Sequence, residues 1–117
     1  MILIKKERLE YDKIMEEKDF KDFIGTYAEI EVYDEGAGIA EILDVKDGMV
    51  KLLWLQHTSC YSCQVYGAEI YFKPTIYEIG DIYKLRRAKI NCRKEADLIR
   101  AESLKNDVDI FQRFYAL

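Results

Sequence analysis

The single histidine of this 117-residue chain and two of its three cysteines lie in one short stretch, HTSCYSC, at 57–63. Cys60 and Cys63 have the spacing that lets two thiolates reach one metal ion, and His57 stands three residues upstream. Cys92 could supply a fourth ligand if the chain returns beside this stretch. A zinc ion held by four protein ligands has no open position for water, so the site that this pattern predicts is structural rather than catalytic.

The same stretch allows two other interpretations. A redox-active Cys-x-x-Cys pair owes its reactivity to the N-terminus of a helix, and the residues after Cys63 show no helical pattern. A free cysteine is commonly a small buried apolar residue, so His57 and both cysteines are also consistent with an ordinary loop. The pattern favours the ordinary loop and leaves structural zinc as the alternative; no other cofactor is expected.

A strongly basic segment spans residues 84–94, although the net charge of the chain is −4. It contains six cations and no acid: Lys84, Arg86, Arg87, Lys89, Arg93 and Lys94. Such a segment can neutralise phosphates, and aromatic side chains can stack on bases; the candidates are Tyr71, Phe72, Tyr77 and Tyr83. Binding of nucleic acid or a nucleotide is therefore one prediction. The alternative is a solvated strand edge that its cations protect against aggregation.

Charge is distributed unevenly along the chain. Residues 1–60 carry eight Lys or Arg against fourteen Asp or Glu, a balance of −6, and residues 61–117 carry ten against eight, a balance of +2. No apolar run approaches the length of a membrane span, and the first residues lack the pattern of a signal peptide. We therefore expect a cytoplasmic protein that does not associate with membranes.

The sequence contains no recognisable catalytic motif. The only histidine lies beside cysteines, and neither a serine-nucleophile motif nor a phosphate-cradling glycine loop is present. The glycine-bearing stretch 34–38 carries acids, which have the wrong charge for binding phosphate. His57 and the cysteines are close in sequence, but this does not establish the spatial arrangement that activates a thiol. The sequence predicts a non-enzymatic protein.

A single domain is expected for residues 1–117, with a helical lead-in (1–25), an antiparallel sheet or barrel (26–90) and C-terminal helices (91–117). Apolar residues at helical spacing predict an amphipathic helix over 6–18. Alternating apolar residues between glycine-bearing turns predict five strands, at 27–33, 39–45, 49–56, 68–72 and 82–86. The predicted class is α+β, with a small five-stranded antiparallel barrel or strongly bent sheet of the SH3-like or OB-like type.

The C-terminal region has two helical patterns. The first covers 93–104, and Asn106 ends it while Asn106 or Asp107 caps a second, shorter helix. The second helix carries a broad apolar face for its length, with the candidate interface residues Val108, Phe111, Phe114 and Tyr115. Such a face either closes the open end of the barrel or contacts another protein or a second copy of the chain.

Three functions follow from these patterns. The favoured one is a small protein-binding module, an adaptor or inhibitor that acts by occupying a surface, with self-association as one form of it. The first alternative is a nucleic-acid or nucleotide binder that uses the basic segment and nearby tyrosines. The second alternative is a small protein stabilised by structural zinc at His57, Cys60, Cys63 and Cys92.

Overall fold

Five strands and two helices form the described part of the chain. The computed structural model describes residues 15–58 and 67–115, with side chains for 15–58 and 69–106. In chain order the elements are α1 (Glu17–Lys21), β1 (Tyr27–Val32), β2 (Gly36–Lys46), β3 (Met49–Thr58), a first 3-10 turn (Gly67–Tyr71), β4 (Thr75–Glu78), a second 3-10 turn (Ile79–Asp81), β5 (Ile82–Arg87) and α2 (Arg93–Tyr115). Within these ranges, neither helix has the length and apolar character that a membrane crossing requires.

All five strands belong to one antiparallel sheet with the order β4-β3-β2-β1-β5. The strands from β1 to β4 pair in sequence, and β5 returns to pair with β1. β4 and β5 form the two edges, so the sheet is not a closed barrel. The predicted α+β class and the predicted five-stranded antiparallel sheet are confirmed.

The fourth strand lies elsewhere than predicted. The strand predicted at 68–72 is wrong, because this segment forms the first 3-10 turn and the strand follows Pro74. Tyr71 is fully buried and its neighbour Ile70 also packs against the core. Two consecutive side chains therefore contact the core, which the alternating faces of a strand do not permit.

Two β-bulges bend the central strands. The register of the β2–β3 pair makes Leu43 the extra residue on β2 and Leu55 the extra residue on β3. A bulge bends its strand and increases the local twist. Because it also shifts the alternation of faces, the bulge at Leu55 places the His57 ring on the same face as the Trp54 ring.

One face of the sheet, the inner face, carries the core. Alternate residues of the three central strands form it: Ala28, Ile30, Val32, Ala40, Ile42, Val50, Leu52 and Trp54. Phe20, Tyr71 and Leu104 pack against it from α1, the first 3-10 turn and α2. The opposite, outer face carries the charged residues Glu29, Glu31, Glu41, Lys84 and Arg86.

Both helical regions differ from the sequence prediction. The helix predicted over 6–18 lies mostly outside the described residues, and α1 is a short helix that buries Phe20. α2 runs through Asn106 without a break, so the prediction of two short C-terminal helices is wrong. Asparagine costs at most about 0.7 kcal/mol relative to alanine within a helix, and a long helix tolerates this cost.

Candidate functional site

A groove with a cavity of about 500 Å³ lies between the β1–β2 turn and β4. Its floor is formed by the rings of Trp54, His57 and Tyr77. Its rim comes from the β1–β2 turn, from the first residue of β3, from β4 and from the second 3-10 turn. The rim includes Tyr33, Asp34, Glu35, Met49, Ile76, Glu78 and Asp81.

The aromatic floor is held by ring contacts and a hydrogen bond. Trp54 is fully buried, and its Nε1 donates to the Tyr77 hydroxyl at 3.3 Å. The two rings meet edge to face with centroids 6.2 Å apart, and the His57 ring lies 4.6 Å from the Trp54 ring. Edge-to-face pairs of this kind contribute about 0.5–1.5 kcal/mol beyond the area that they bury. The floor is therefore part of the core and is rigid.

His57 fixes the turn that forms one wall of the groove. Its Nε2 donates to the backbone carbonyl of Glu35 at 2.8 Å, and the residue is only 6% exposed. Gly36 follows with a φ of +108°, and a Cβ there would lie 2.2 Å from the carbonyl oxygen of Thr58. Only glycine fits this conformation and this close approach. The turn is thus pressed onto the end of β3, and His57 has a positioning role.

The rim of the groove is acidic. Four carboxylates line it, from Asp34, Glu35, Glu78 and Asp81, and no Lys or Arg is found among its described lining residues. Asp34, Glu78 and Asp81 are exposed and make no ion pair with any described residue. These three carboxylates therefore give the rim negative charge that no described residue neutralises by an ion pair.

Large apolar side chains also stand on this rim. Tyr33 is 67% exposed, Ile76 is 59% exposed and Met49 is 39% exposed. Exposed single apolar residues are common on protein surfaces, but these three are all lining residues of one cavity. Tyrosine and methionine are enriched in protein interfaces, so the rim has the composition of a contact surface.

Three of the six cations predicted to bind nucleic acid are paired with acids of the chain itself. Lys84 Nζ lies 3.3 Å from Glu31 Oε1, and Arg86 forms an ion pair with Glu29. Arg93 contacts both carboxylate oxygens of Glu41 at 2.9 Å. The first two pairs follow from the strand register, which places Glu29 opposite Arg86 and Glu31 opposite Lys84.

The remaining members of the basic segment are dispersed. Arg87 lies 4.9 Å above the Phe23 ring and donates to the carbonyl of Asp22 at 3.5 Å. Lys89 and Lys94 are exposed and form no ion pair with a described residue. The structure therefore leaves three of the six cations, Arg87, Lys89 and Lys94, without an ion pair to a described acid.

The aromatic residues proposed to stack on bases do not share one face. Tyr71 is buried in the core, Phe72 is exposed, and Tyr77 belongs to the floor of the groove. Tyr83 lies beside the basic segment, and its hydroxyl donates to the Glu31 carboxylate; this hydrogen bond holds the pKa of Glu31 below its ordinary value. The Tyr83 hydroxyl therefore belongs to the outer-face network that it forms with Glu31 and Lys84.

The predicted zinc ligands are only partly covered by the described residues. Cys60 and Cys63 lie outside them. His57 belongs to the inner face, whereas Cys92 is exposed and immediately precedes Arg93, which reaches the outer face through Glu41. Within residues 15–58 and 67–115, no three potential ligands lie close enough to hold a metal ion.

The candidate interface residues Val108, Phe111, Phe114 and Tyr115 lie in the last turns of α2. Their side chains are outside the described part of the structure, so the predicted interface there stays a prediction. The first half of α2 packs against β3 and the first 3-10 turn, where Ala96 and Ser103 are buried.

Sequence reasoning missed the groove. Its signal was the placement of acids beside aromatic residues at strand ends, as in Tyr33-Asp34-Glu35 and Tyr77-Glu78. Because these pairs are more than forty residues apart, only the return of β5 to β1 and the pairing of β4 with β3 bring them together. No protein-family model matches the chain, and neither a curated protein nor a solved structure shows significant similarity to it.

Proposed function

We propose that this chain is a small protein-binding module that takes a segment of a partner protein into the groove between the β1–β2 turn and β4. The observation that carries the proposal is the rim itself, where Tyr33, Met49 and Ile76 are exposed around one cavity. A rigid aromatic floor under exposed apolar side chains gives a preformed site, and a preformed site loses little entropy on binding.

The type of fold is a second part of the proposal. We also propose that the open, bulged sheet is a small barrel-like fold of the SH3-like or OB-like type, because the two bulges supply curvature to the central strands. A fold of this kind hosts many functions, so the groove and not the fold identifies the binding site. The module acts by occupying a surface, without enzymatic activity, in the cytoplasm.

Nucleic-acid binding receives less support from the same contacts. Three cations, Lys84, Arg86 and Arg93, each form an ion pair with an acid on the outer face. A phosphate would have to compete with these carboxylates, and a chain with a net charge of −4 adds a general repulsion.

The proposal is tested with two double variants matched for exposed apolar area. Tyr33→Ser with Ile76→Ser removes rim residues that are 67% and 59% exposed. Phe72→Ser with Leu98→Ser removes residues outside the groove that are 63% and 62% exposed. A partner captured by the wild-type chain from its host is purified, and its affinity for each protein is measured by titration calorimetry.

We expect the groove variant to weaken binding about tenfold or more, because central aromatic and apolar residues dominate interface energies. The control variant should stay within about twofold of the wild type. Equal losses in both variants, or no loss in either, would contradict the proposal. If the partner is a second copy of the chain, light scattering gives twice the mass of one chain. The same two variants then test whether the groove forms the contact between the copies.

A further inference from the structure

We infer that the segment bound in the groove is positively charged, an inference that rests on the proposed function and names the chemistry of the partner. Four carboxylates surround the cavity, and no Lys or Arg is among its described lining residues. An apolar or acidic segment would leave Asp34, Glu78 and Asp81, which have no ion pair with a described residue, without a counter-charge. A segment bearing arginine or lysine supplies the missing charge as it binds.

The rest of the sheet shows that uncompensated acids are not general in this protein. On the outer face Glu29, Glu31 and Glu41 each have a cation within the chain. The rim acids Asp34, Glu78 and Asp81 have no such partner among the described residues, although they lie on the same sheet or on its turns. The difference marks the groove as the place where the cation comes from another molecule.

The aromatic rim favours the same kind of ligand. Tyr33 is largely exposed and adjoins Asp34 and Glu35, so an incoming cation meets an aromatic ring and carboxylates together. A cation over an aromatic ring gains about 0.5–1 kcal/mol at an exposed site. Arginine suits this environment best, because its planar guanidinium stacks on a ring while it binds a carboxylate with two hydrogen bonds.

The test begins with a selection of random dodecapeptides displayed on phage, using the full chain as the immobilised target. The best peptides are synthesised with a fluorescent label, and their affinities are measured by anisotropy. We expect the selected peptides to be enriched in arginine and lysine relative to the unselected library. Their affinity should fall as the salt concentration rises, because exposed charges are screened.

Two variants with the same change of net charge separate a local effect from a general one. Asp34→Asn with Glu78→Gln neutralises two rim acids, and Asp47→Asn with Glu102→Gln neutralises two acids outside the groove. Asp34 and Asp47 both have a positive φ, 62° and 54°, which asparagine also adopts. We expect the rim variant to weaken peptide binding about tenfold and the control to stay within about twofold.

The outcomes distinguish failure of the inferred positive charge of the segment from failure of the proposed binding function. Selected peptides that lack basic residues but lose affinity in the Tyr33→Ser, Ile76→Ser variant overturn the inference and leave the binding function standing. Equal weakening in both charge variants shows attraction to the net charge alone and also overturns the inference. If no peptide is enriched over an unrelated target protein, or if the groove variant binds every selected peptide as well as wild type does, both the inference and the proposed function fail.

Discussion

The outer face of the sheet and the groove between the β1–β2 turn and β4 differ in how their charges are neutralised. The outer face has a shallow depression of about 230 Å³ whose described lining includes the acids Glu29 and Glu31 and the cations Lys84 and Arg86. The larger groove, of about 500 Å³, is lined by four acids and no Lys or Arg among the described residues. Described residues neutralise the acids of the outer face, whereas Asp34, Glu78 and Asp81 of the groove have no ion pair with a described residue.

Strand register explains the difference. Glu29 and Arg86 are opposite each other in the β1–β5 pair, and their side chains therefore meet on the same face. The acids of the groove lie instead in turns or, for Glu78, at the end of the edge strand β4. Asp34, in the β1–β2 turn, has no residue paired with it across the sheet. Ion pairs on the outer face connect β1 to β5, whereas Asp34, Glu78 and Asp81 on the groove rim form no ion pair with a described residue.

The largest expected effect is a difference in unfolding free energy between a substitution in the floor of the groove and one on its rim. Trp54→Ala should cost about 3–5 kcal/mol of unfolding free energy, because it leaves a large cavity in the core. Tyr33→Ser, on the rim, should change stability by no more than about 0.5 kcal/mol, since the side chain is mostly exposed. Urea denaturation followed by far-ultraviolet circular dichroism measures both. Similar costs for the two variants would mean that the rim is part of the core.

A smaller effect on stability is expected when each of two glycines with different surroundings is replaced by alanine. Gly38→Ala places a Cβ 1.8 Å from the carbonyl oxygen of Gln56, so the β2–β3 pair must shift, at a cost of about 1–3 kcal/mol. Gly80→Ala, in the second 3-10 turn, meets nothing within 4 Å and should lie within about 1 kcal/mol of wild type. The midpoints of urea unfolding compare them. A neutral Gly38→Ala would show that β2 and β3 are less closely packed than the structure describes.

Much of the sheet could be predicted from the sequence, because local patterns determine most of its strands. Alternation and the Asp47-Gly48 turn located β1, β2, β3 and β5, and both residues have the positive φ that this tight turn requires. β4 was missed because its four residues follow Pro74, while the apolar run before the proline resembled a strand. A short edge strand gives too weak a periodic signal to outweigh such a run.

The candidate site was much less predictable, because it depends on contacts between distant parts of the chain. The density of cations at 84–94 suggested a surface for phosphate, but the acids that pair with them are more than fifty residues away. The groove depends in addition on the bulge at Leu55, which turns His57 inward beside Trp54. A bulge has no clear sequence signal, so the floor could not be assembled from the alternation of apolar residues alone.

The smallest expected effect concerns the pH dependence of the outer face. A hydrogen bond from the Tyr83 hydroxyl, assisted by Lys84, lowers the pKa of Glu31 from its ordinary value of 4.5, although partial burial opposes the shift. Because the folded state binds this proton less readily than the unfolded state, the contribution is present above the ordinary pKa and is lost as the pH falls through the lowered one. The unfolding free energy of Glu31→Gln should therefore fall less on acidification than that of the wild type, by about 0.5 kcal/mol.

Tyr83→Phe provides the control for this last prediction. It removes the hydroxyl that contributes most to the shift and leaves the carboxylate and Lys84 in place. The stability of this variant should depend on pH less than that of the wild type and more than that of Glu31→Gln, as urea unfolding at a series of pH values would show. If all three proteins lose stability equally on acidification, the outer-face network does not stabilise the fold. The contrast with the rim of the groove, where no such stabilisation is expected, would then disappear.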